Sequence, residues 1–176
     1  MSAPKDRIRR LVLLRHAKAE SGGREADELR PLALAGRRQS TRVGASLAAA
    51  DLIPELVLCS SAVRARQTWE LVRIGLGDVE SELVVLDSLY EAGVAEVLAQ
   101  VREVDERVRT VLVVGHEPTI SAVAVALASE QSDEDATMHV ETGVSTATYA
   151  VLELAGTWAE LARRSARLVA VVAPTG

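Results

Sequence analysis

Two histidines and two arginines stand where they could bind and transfer a phosphoryl group. Arg15 and His16 follow one short apolar segment of the chain, Arg64 lies shortly after a second, and His116 follows a third. Arginine offers planar pairs of donors to phosphoryl oxygens, and a neutral imidazole is a competent nucleophile at phosphorus. Each residue alone is a weak signal, but a shared location would make the set a candidate site for phosphoryl transfer.

The elements around these residues alternate between strand and helix. Short apolar runs predict buried strands at 11–14, 56–59, 83–86 and 111–114. Helices are predicted at about 31–50, 62–74, 94–104 and 118–129. The tail adds strands at 146–154 and 168–172, after an acidic loop at 130–136. This order predicts an α/β fold, a three-layer αβα sandwich whose mostly parallel central sheet carries antiparallel edge strands from the C-terminal tail.

The carboxyl ends of the parallel strands are where such a sheet binds ligands. The first strand exits into Arg15 and His16, the second leads to Arg64, and the fourth exits into His116. Glu91 follows the third strand and could protonate a leaving oxygen, a contribution of about 10²–10⁴-fold. The helix that carries Arg64 would add backbone N–H groups to an anion site. The topology therefore predicts that these five side chains meet at one edge of the sheet.

Three stretches of the chain resemble the motifs of the histidine phosphatase superfamily. They are LVLLRHAKAE with its Arg-His pair, CSSAVRARQT with a second phosphate-binding arginine, and VVGHEPTI with a second histidine. They occur in the family's order and span residues 11–120, about two-thirds of the chain. The α/β architecture of that family agrees with the predicted elements.

This resemblance implies a role for each of the five candidate residues. His16 would be the nucleophile, and Arg15 and Arg64 would hold the phosphoryl oxygens. His116 would hydrogen-bond the same oxygens and stabilise the transition state. Glu91 is the best match to the proton donor, through its position after the third strand.

Within the superfamily, the chain resembles the compact bacterial phosphohistidine phosphatases of the SixA type. The resemblance lies in the stretches DELRPLALAGRRQS and LYEAG and in the lack of a large insertion. Arg30, in the first stretch, either reaches the phosphate or belongs to a surface loop. An uncovered site suits a protein side chain, so the leading substrate is phosphohistidine on a phosphorylated protein partner.

Two other functions stay open on the sequence. A phosphatase of a small phosphorylated metabolite would use the same residues, and a non-catalytic phosphate-binding module would bind the anion without turnover. A mutase is disfavoured, because no insertion is present to retain and re-orient a bisphosphate. Replacement of His16 by alanine separates an enzyme, which loses turnover, from a binding module.

Composition narrows the possible partners and the compartment. The formal net charge of −5 and the 2% of aromatic residues argue against nucleic acid, which is bound by clustered cations and stacking platforms. No apolar run is long enough to cross a bilayer, and one cysteine cannot form an intramolecular disulfide, so a cytoplasmic protein is expected.

The 176 residues fit a single domain, 1–176. The three histidines lack metal-ligand spacing, so neither metal nor cofactor is expected, and the oligomeric state is not indicated.

Several other notable residues are predicted to have structural roles. Cys59 is expected to be a small buried side chain, because its distance from the next arginine does not suit a cysteine-phosphatase loop. Arg66 is expected to face solvent and His139 to lie at the surface. Tyr90 and Trp69 are expected to pack in the core or at its rim.

Overall fold

A six-stranded sheet with helices on both faces organises residues 8–175, the part of the chain that this computed structural model describes. The strands are β1 (Arg9–Arg15), β2 (Leu56–Ser60), β3 (Glu82–Leu86), β4 (Thr110–Gly115), β5 (Tyr149–Leu154) and β6 (Arg167–Val172). The helices are α1 (Leu34–Ala49), α2 (Val63–Leu76), α3 (Val94–Arg102), α4 (Thr119–Leu127) and α5 (Glu134–Glu141), with short 3-10 helices at Asp27–Leu29 and Asp87–Leu89. None of the helices in this range combines the length and apolar character needed to cross a membrane.

The strands follow the order β3-β2-β4-β1-β5-β6, and the first four run parallel. β5 pairs antiparallel with β1, and β6 pairs antiparallel with β5. The predicted fold class, with antiparallel edge strands from the tail, is confirmed. In the register, Arg15 lies beside Gly115 and Cys59 lies beside Val114. The segments that follow β1, β2 and β4 therefore start close together at one edge of the sheet.

Side chains that alternate along the central strands fill two apolar layers, one on each face of the sheet. On β1, Leu11 and Leu13 face the layer that contains α3, α4 and α5, whereas Val12 and Leu14 face α1 and α2. All four side chains are buried, and burial of each such side chain favours folding by about 1.5–3 kcal/mol. Strands covered on both faces have continuous apolar sequences, which is why the sequence alone indicates them.

Helices α1 and α2 approach each other closely at two glycines. A Cβ atom on Gly44 would lie 2.1 Å from the carbonyl oxygen of Val72, and one on Gly75 would lie 2.2 Å from that of Thr41. No larger residue fits at either position without moving the backbone. Gly44 disfavours a helix by intrinsic propensity, but the packing that it permits compensates within the folded protein. This contact fixes the position of α2, whose first turn carries Arg64.

The acidic segment 130–136, predicted as a loop, is partly helical. Helix α5 begins at Glu134, and the Asp133 carboxylate accepts a hydrogen bond from the backbone N–H of Ala136 at 2.9 Å. Acidic residues at a helix N-terminus stabilise it, both as caps and through the helix dipole. Ala136 and Val140 lie one turn apart and are buried under the helix. The loop prediction was wrong from residue 134 onward, because these acidic residues start a helix.

Candidate active site

The parallel register of β1 and β4 brings the two histidines together. The backbone N–H of His16 donates to the carbonyl oxygen of Gly115 at 3.0 Å, just beyond the last paired residues of both strands. The His16 and His116 rings consequently lie with centroids 5.1 Å apart and planes inclined by 58°. The two motifs are far apart in the sequence, but the sheet makes their histidines neighbours.

His16 has the tautomer and the charge state of a nucleophile. The side chain is only 8% exposed, and its Nδ1 lies 2.8 Å from the carbonyl oxygen of Ala17. A carbonyl oxygen can only accept, so Nδ1 carries the proton and Nε2 keeps its lone pair. Burial lowers the pKa of His16 to about 3, and the nearby positive groups act in the same direction. The ring is therefore neutral at pH 7.

Arg64 lies in the first turn of α2 and directs one edge of its guanidinium at His16. Its Nε donates to His16 Nε2 at 3.3 Å. The other end of the group is held by Asp27, whose carbonyl oxygen accepts from Nη1 at 2.8 Å and whose Oδ2 accepts from Nη2 at 3.0 Å. These contacts use three of the five N–H donors of the guanidinium. The remaining donors stay available to a ligand.

The Asp27 carboxylate binds three side chains, of which Arg64 is one. In addition to Arg64, the carboxylate accepts from Arg30 Nε at 2.9 Å and from the Tyr90 hydroxyl at 2.5 Å. The Tyr90 hydroxyl, together with Arg30 and Arg64, holds the pKa of the Asp27 carboxyl far below its usual range. Asp27 is therefore an anion at pH 7 and cannot serve as a proton donor there. Its carboxylate orients Arg64 and balances part of its charge.

Asp27 positions both Arg30 and Tyr90. Arg30 also donates from Nη1 to the carbonyl oxygen of Glu20 at 2.8 Å. Arg30 is thus linked to Arg64 through the Asp27 carboxylate, which binds both arginines. Tyr90, predicted only to pack, also meets the His116 ring edge-on with centroids 5.7 Å apart. The sequence signal for Tyr90 was its position just before Glu91, after the third strand.

Ser60, the last residue of β2, supports His116. Its hydroxyl lies 2.7 Å from Nε2 of His116 and also accepts a longer hydrogen bond from the backbone N–H of Ala62. Ser60 is fully buried and His116 is half-buried. Burial lowers the pKa of His116 to about 4, so this ring is also neutral at pH 7. A neutral imidazole can donate one hydrogen bond to a bound anion.

Arg15 has one donor that no residue in the described range satisfies. Its Nη1 donates to the carbonyl oxygen of Val144 at 2.7 Å, whereas its Nε is buried and has no partner within residues 8–175. Glu117 holds the same segment from its other side, because Oε2 accepts from the backbone N–H of Val144 at 3.2 Å. Buried donors almost always have a partner, so this N–H fits a role in ligand binding.

Glu91 lies at the rim of the site. It is exposed and makes no hydrogen bond within the described part of the chain, and it lines a cavity of about 190 Å³ together with Tyr90 and His116. The five residues predicted to converge thus lie around one edge of the sheet. His16 adjoins both Arg64 and His116, Arg15 precedes His16 at the end of β1, and Glu91 lies at the rim. Its role as proton donor stays a prediction.

The other residues singled out in the sequence have structural surroundings. Burial raises the pKa of the Cys59 thiol to about 12, so this cysteine is an inert core residue, as predicted. Trp69 is buried and Arg66 is exposed, also as predicted, whereas His139 is half-buried on α5. Within residues 8–175, no group of three or more His, Cys, Asp or Glu side chains is placed to hold a metal ion.

A buried neutral histidine whose Nε2 keeps a lone pair lies beside two arginines and a second histidine at the carboxyl edge of a parallel sheet, an arrangement compatible with phosphoryl transfer. The chain belongs to the histidine phosphatase superfamily: the model of its branch 1 matches residues 11–100. The resemblance to SixA-type proteins, predicted from the sequence, is confirmed by the comparisons that follow. The family and these relatives support a phosphatase, and hence a hydrolase.

Three relatives show the extent of the similarity. A candidate phosphohistidine phosphatase SixA from Nakamurella multipartitia is 38% identical, with 96% of this chain and 98% of that chain covered and a TM-score of 0.82. Its counterpart from Agrobacterium tumefaciens is 29% identical, with 94% and 98% covered and a TM-score of 0.77. An uncharacterized protein of Mycobacterium leprae is 39% identical over 85% of this chain and 89% of its own length.

Proposed function

We propose that this protein is a protein phosphohistidine phosphatase, which transfers the phosphoryl group of its substrate to Nε2 of His16 and then to water. The observation that carries the proposal is the pair of contacts on the His16 ring. Nδ1 is committed to the carbonyl oxygen of Ala17, and Nε2 accepts from Arg64. One lone pair on a buried, neutral ring therefore faces the group that would neutralise a phosphoryl oxygen.

In the first step, Nε2 of His16 attacks phosphorus and forms a new P–N bond. The bond from phosphorus to the leaving group breaks, and its electron pair goes to the leaving group. The phosphorylated ring becomes cationic, and the carbonyl oxygen of Ala17 stabilises the N–H that remains on Nδ1. Positioning of the two reactants is the main contribution that a protein can make to such a transfer.

Arg15 and Arg64 are proposed to bind the phosphoryl oxygens through the N–H groups that the protein leaves available. The contact from Arg64 Nε moves from His16 Nε2 to a phosphoryl oxygen when that nitrogen becomes phosphorylated. His116, oriented by the Ser60 hydroxyl, adds a hydrogen bond to the same oxygens. Charge-assisted donors placed in advance around a developing anion are the largest contribution in many enzymes. Arg30 supports this set through the Asp27 carboxylate.

In the second step, water attacks the phosphorylated His16. The P–N bond breaks, its electron pair returns to Nε2, and the proton of the water leaves with the phosphate or passes to solvent. His16 returns to the neutral state with its proton still on Nδ1.

Similar proteins and the leaving-group side of the site support phosphohistidine as the substrate. The proteins from Nakamurella and Agrobacterium are candidate phosphohistidine phosphatases at 38% and 29% identity. Phosphohistidine demands less acid catalysis than an ester, because an imidazole is a better leaving group than an alkoxide. Glu91, the carboxyl group proposed to handle the leaving group's proton, is exposed and forms no hydrogen bond in the described structure.

The test is phosphate release by the purified protein, in the presence of a metal chelator, from a phosphohistidine peptide and from a panel of small phosphate esters. The expected result is turnover of the peptide, together with an acid-labile phosphoenzyme that is absent in His16→Ala. The Arg64→Ala variant should lose turnover, whereas Arg66→Ala, two residues along the same helix and exposed, should retain it. Turnover confined to an ester would overturn phosphohistidine as the proposed substrate. Phosphate binding without any turnover would overturn the proposed enzymatic activity.

A further inference from the structure

A partly enclosed cavity lies beside the phosphoryl site and has a chemical character of its own. It measures about 190 Å³ and lies between the 3-10 helix Asp87–Leu89, α3, and the start of α4. Its inner wall is made of the buried side chains of Leu89, Val97, Val113 and Ile120. This part of the wall suits the apolar face of an occupant.

Five polar residues also line this cavity: Tyr90, Glu91, His116, Glu117 and Thr119. The Glu117 carboxylate is already bound, because it accepts from the Ser121 hydroxyl and from the backbone N–H of Val144. His116 and Tyr90 contribute their rings where the cavity adjoins the phosphoryl site, while Arg15, His16 and Arg64 do not line it. The exposed Glu91 carboxylate lies on the outer side and is not engaged by any residue in the range 8–175. The Thr119 hydroxyl donates to the carbonyl oxygen of Ala92 and is therefore already satisfied.

The size of the cavity suits a small flat ring. A protein cavity of roughly 150 Å³ with aliphatic walls accommodates benzene, and an imidazole ring is smaller than benzene. A sugar would bring several hydroxyl groups against the aliphatic wall formed by Leu89, Val97, Val113 and Ile120, which offers them no partner, and each unsatisfied group costs free energy. A second anionic group would meet the Glu91 and Glu117 carboxylates. An aromatic ring with an N–H group fits both the walls and the free carboxylate.

We propose that this cavity, the ring cavity, binds the imidazole leaving group of a phosphohistidine substrate, with the Glu91 carboxylate as acceptor for the ring N–H. The proposal builds on the proposed function, because it presumes a phosphohistidine substrate. The substrate ring binds with a proton on the nitrogen that carries no phosphorus. When the P–N bond breaks, its electron pair stays on the departing nitrogen, and the ring leaves as neutral imidazole. The phosphoryl group meanwhile forms its new bond to His16 Nε2.

The ring cavity can be tested by filling it. Ala92→Leu places a larger side chain at its wall, and Ala95→Leu makes the same change at an exposed position of α3 as a control. Each variant is assayed with a phosphohistidine peptide and with phosphoramidate, which has the same P–N bond but no ring. The ratio of kcat/KM for peptide over phosphoramidate should fall about tenfold or more in Ala92→Leu, the scale of a lost pocket contact. In Ala95→Leu, the ratio should stay within about twofold.

The carboxylate is tested separately. Glu91→Ala should lower the same ratio, and Glu103→Ala, an exposed carboxylate at the end of α3, should not. Both positions are exposed, so neither variant threatens the fold. Equal losses for the two substrates in Ala92→Leu and Glu91→Ala would overturn the ring cavity while leaving the phosphatase intact. A wild type that hydrolyses phosphoramidate but not the peptide would instead overturn the proposed substrate.

A binding measurement gives a readout that does not depend on turnover. Imidazole titrated into the wild-type protein should shift the methyl NMR signals of Val97, Val113 and Ile120, which line the cavity. The same titration of Ala92→Leu should shift them far less. Absence of any shift in the wild type at millimolar imidazole would overturn the proposal.

Discussion

The Nε–H of Arg64 donates to Nε2 of His16 at 3.3 Å, so a guanidinium N–H occupies the place that phosphorus would take in the proposed reaction. At this length the hydrogen bond is weak, and it is readily exchanged for a shorter one to a phosphoryl oxygen. Asp27 holds the far end of the same guanidinium and prevents it from turning away. Arg64 is therefore kept beside His16, and its hydrogen bond to Nε2 is the contact that the phosphoryl group would replace.

Asp27→Asn should impair catalysis through Arg64. The substitution removes the negative charge that Arg64, Arg30 and Tyr90 share, and hydrogen bonds to charged groups are worth about 1.5–3 kcal/mol. We expect a loss of about 10- to 100-fold in kcat/KM. The control is Asp105→Asn, which breaks an exposed ion pair with Arg107 and should have no effect on activity. An Asp27→Asn enzyme with normal kcat/KM would show that Arg64 needs no such support.

Ser60→Ala should misplace His116. The Ser60 hydroxyl is the partner of His116 Nε2, and removal of a neutral hydrogen bond between buried groups costs about 1–3 kcal/mol. We expect kcat to fall about tenfold with little change in KM, because the role proposed for His116 is to stabilise the transition state. Ser61→Ala, at the next position, is the control. Steady-state kinetics on both variants decide between this role for Ser60 and a purely structural one, which would leave kcat unchanged.

Stability should decrease as the solution is acidified below pH 6.5. The pKa of His16 falls from 6.5 in an unfolded chain to about 3 in the folded protein, and that of His116 falls to about 4. Between these values the unfolded state binds more protons than the folded state, so the free energy of unfolding rises with pH. The stabilisation is complete above pH 6.5 and is lost on descent towards pH 3. Urea unfolding at several pH values should show a shallower slope for His16→Asn, and an equal slope would contradict the assignment.

Gly44→Ala should destabilise the fold by moving α1 away from α2. The added methyl group would lie 2.1 Å from the Val72 carbonyl oxygen, a backbone atom that cannot rotate aside. Overpacking of this kind costs about 1–3 kcal/mol or more, although alanine is the better helix former. Thermal unfolding provides the measurement, and Gly23→Ala, where nothing lies within 4 Å, is the control. Equal melting temperatures for the two variants would refute the close contact.

The sequence predicts those parts of the molecule that depend on local pattern. Strands β1, β2 and β4 are continuous apolar runs because both of their faces are covered, and the rule that ligands bind at strand ends then brings together Arg15, His16, Arg64 and His116. The apolar run of β3 was also predicted to be buried, but β3 is an edge strand on which Leu83 and Val85 are exposed. Helix α5 escaped prediction because acidic residues are compatible with both a loop and a helix start. Ser60, as the partner of His116, escaped because its role arises only from the spatial meeting of β2 and β4.

The role of Asp27, a residue outside the strands and α-helices, could not be predicted from the sequence either. It faces Arg64 across a segment 37 residues long and Tyr90 across one of 63 residues, and no periodicity relates such positions. The ring cavity depends on packing between α3 and α4, which a single sequence does not reveal. The residues that carry charge and chemistry are thus predictable here, whereas those that orient them require the three-dimensional structure.

The hydrogen bond from His16 Nδ1 to the Ala17 carbonyl determines which isomer of phosphohistidine the phosphorylated protein would carry. Phosphohistidine exists as two positional isomers, and only the one with phosphorus on Nε2 is compatible with this contact. The protein should therefore accumulate one isomer alone, distinguishable from the other by ³¹P and ¹⁵N spectra. Each cycle begins and ends with the proton on the same ring atom, so the catalyst never has to exchange tautomers before it can react again.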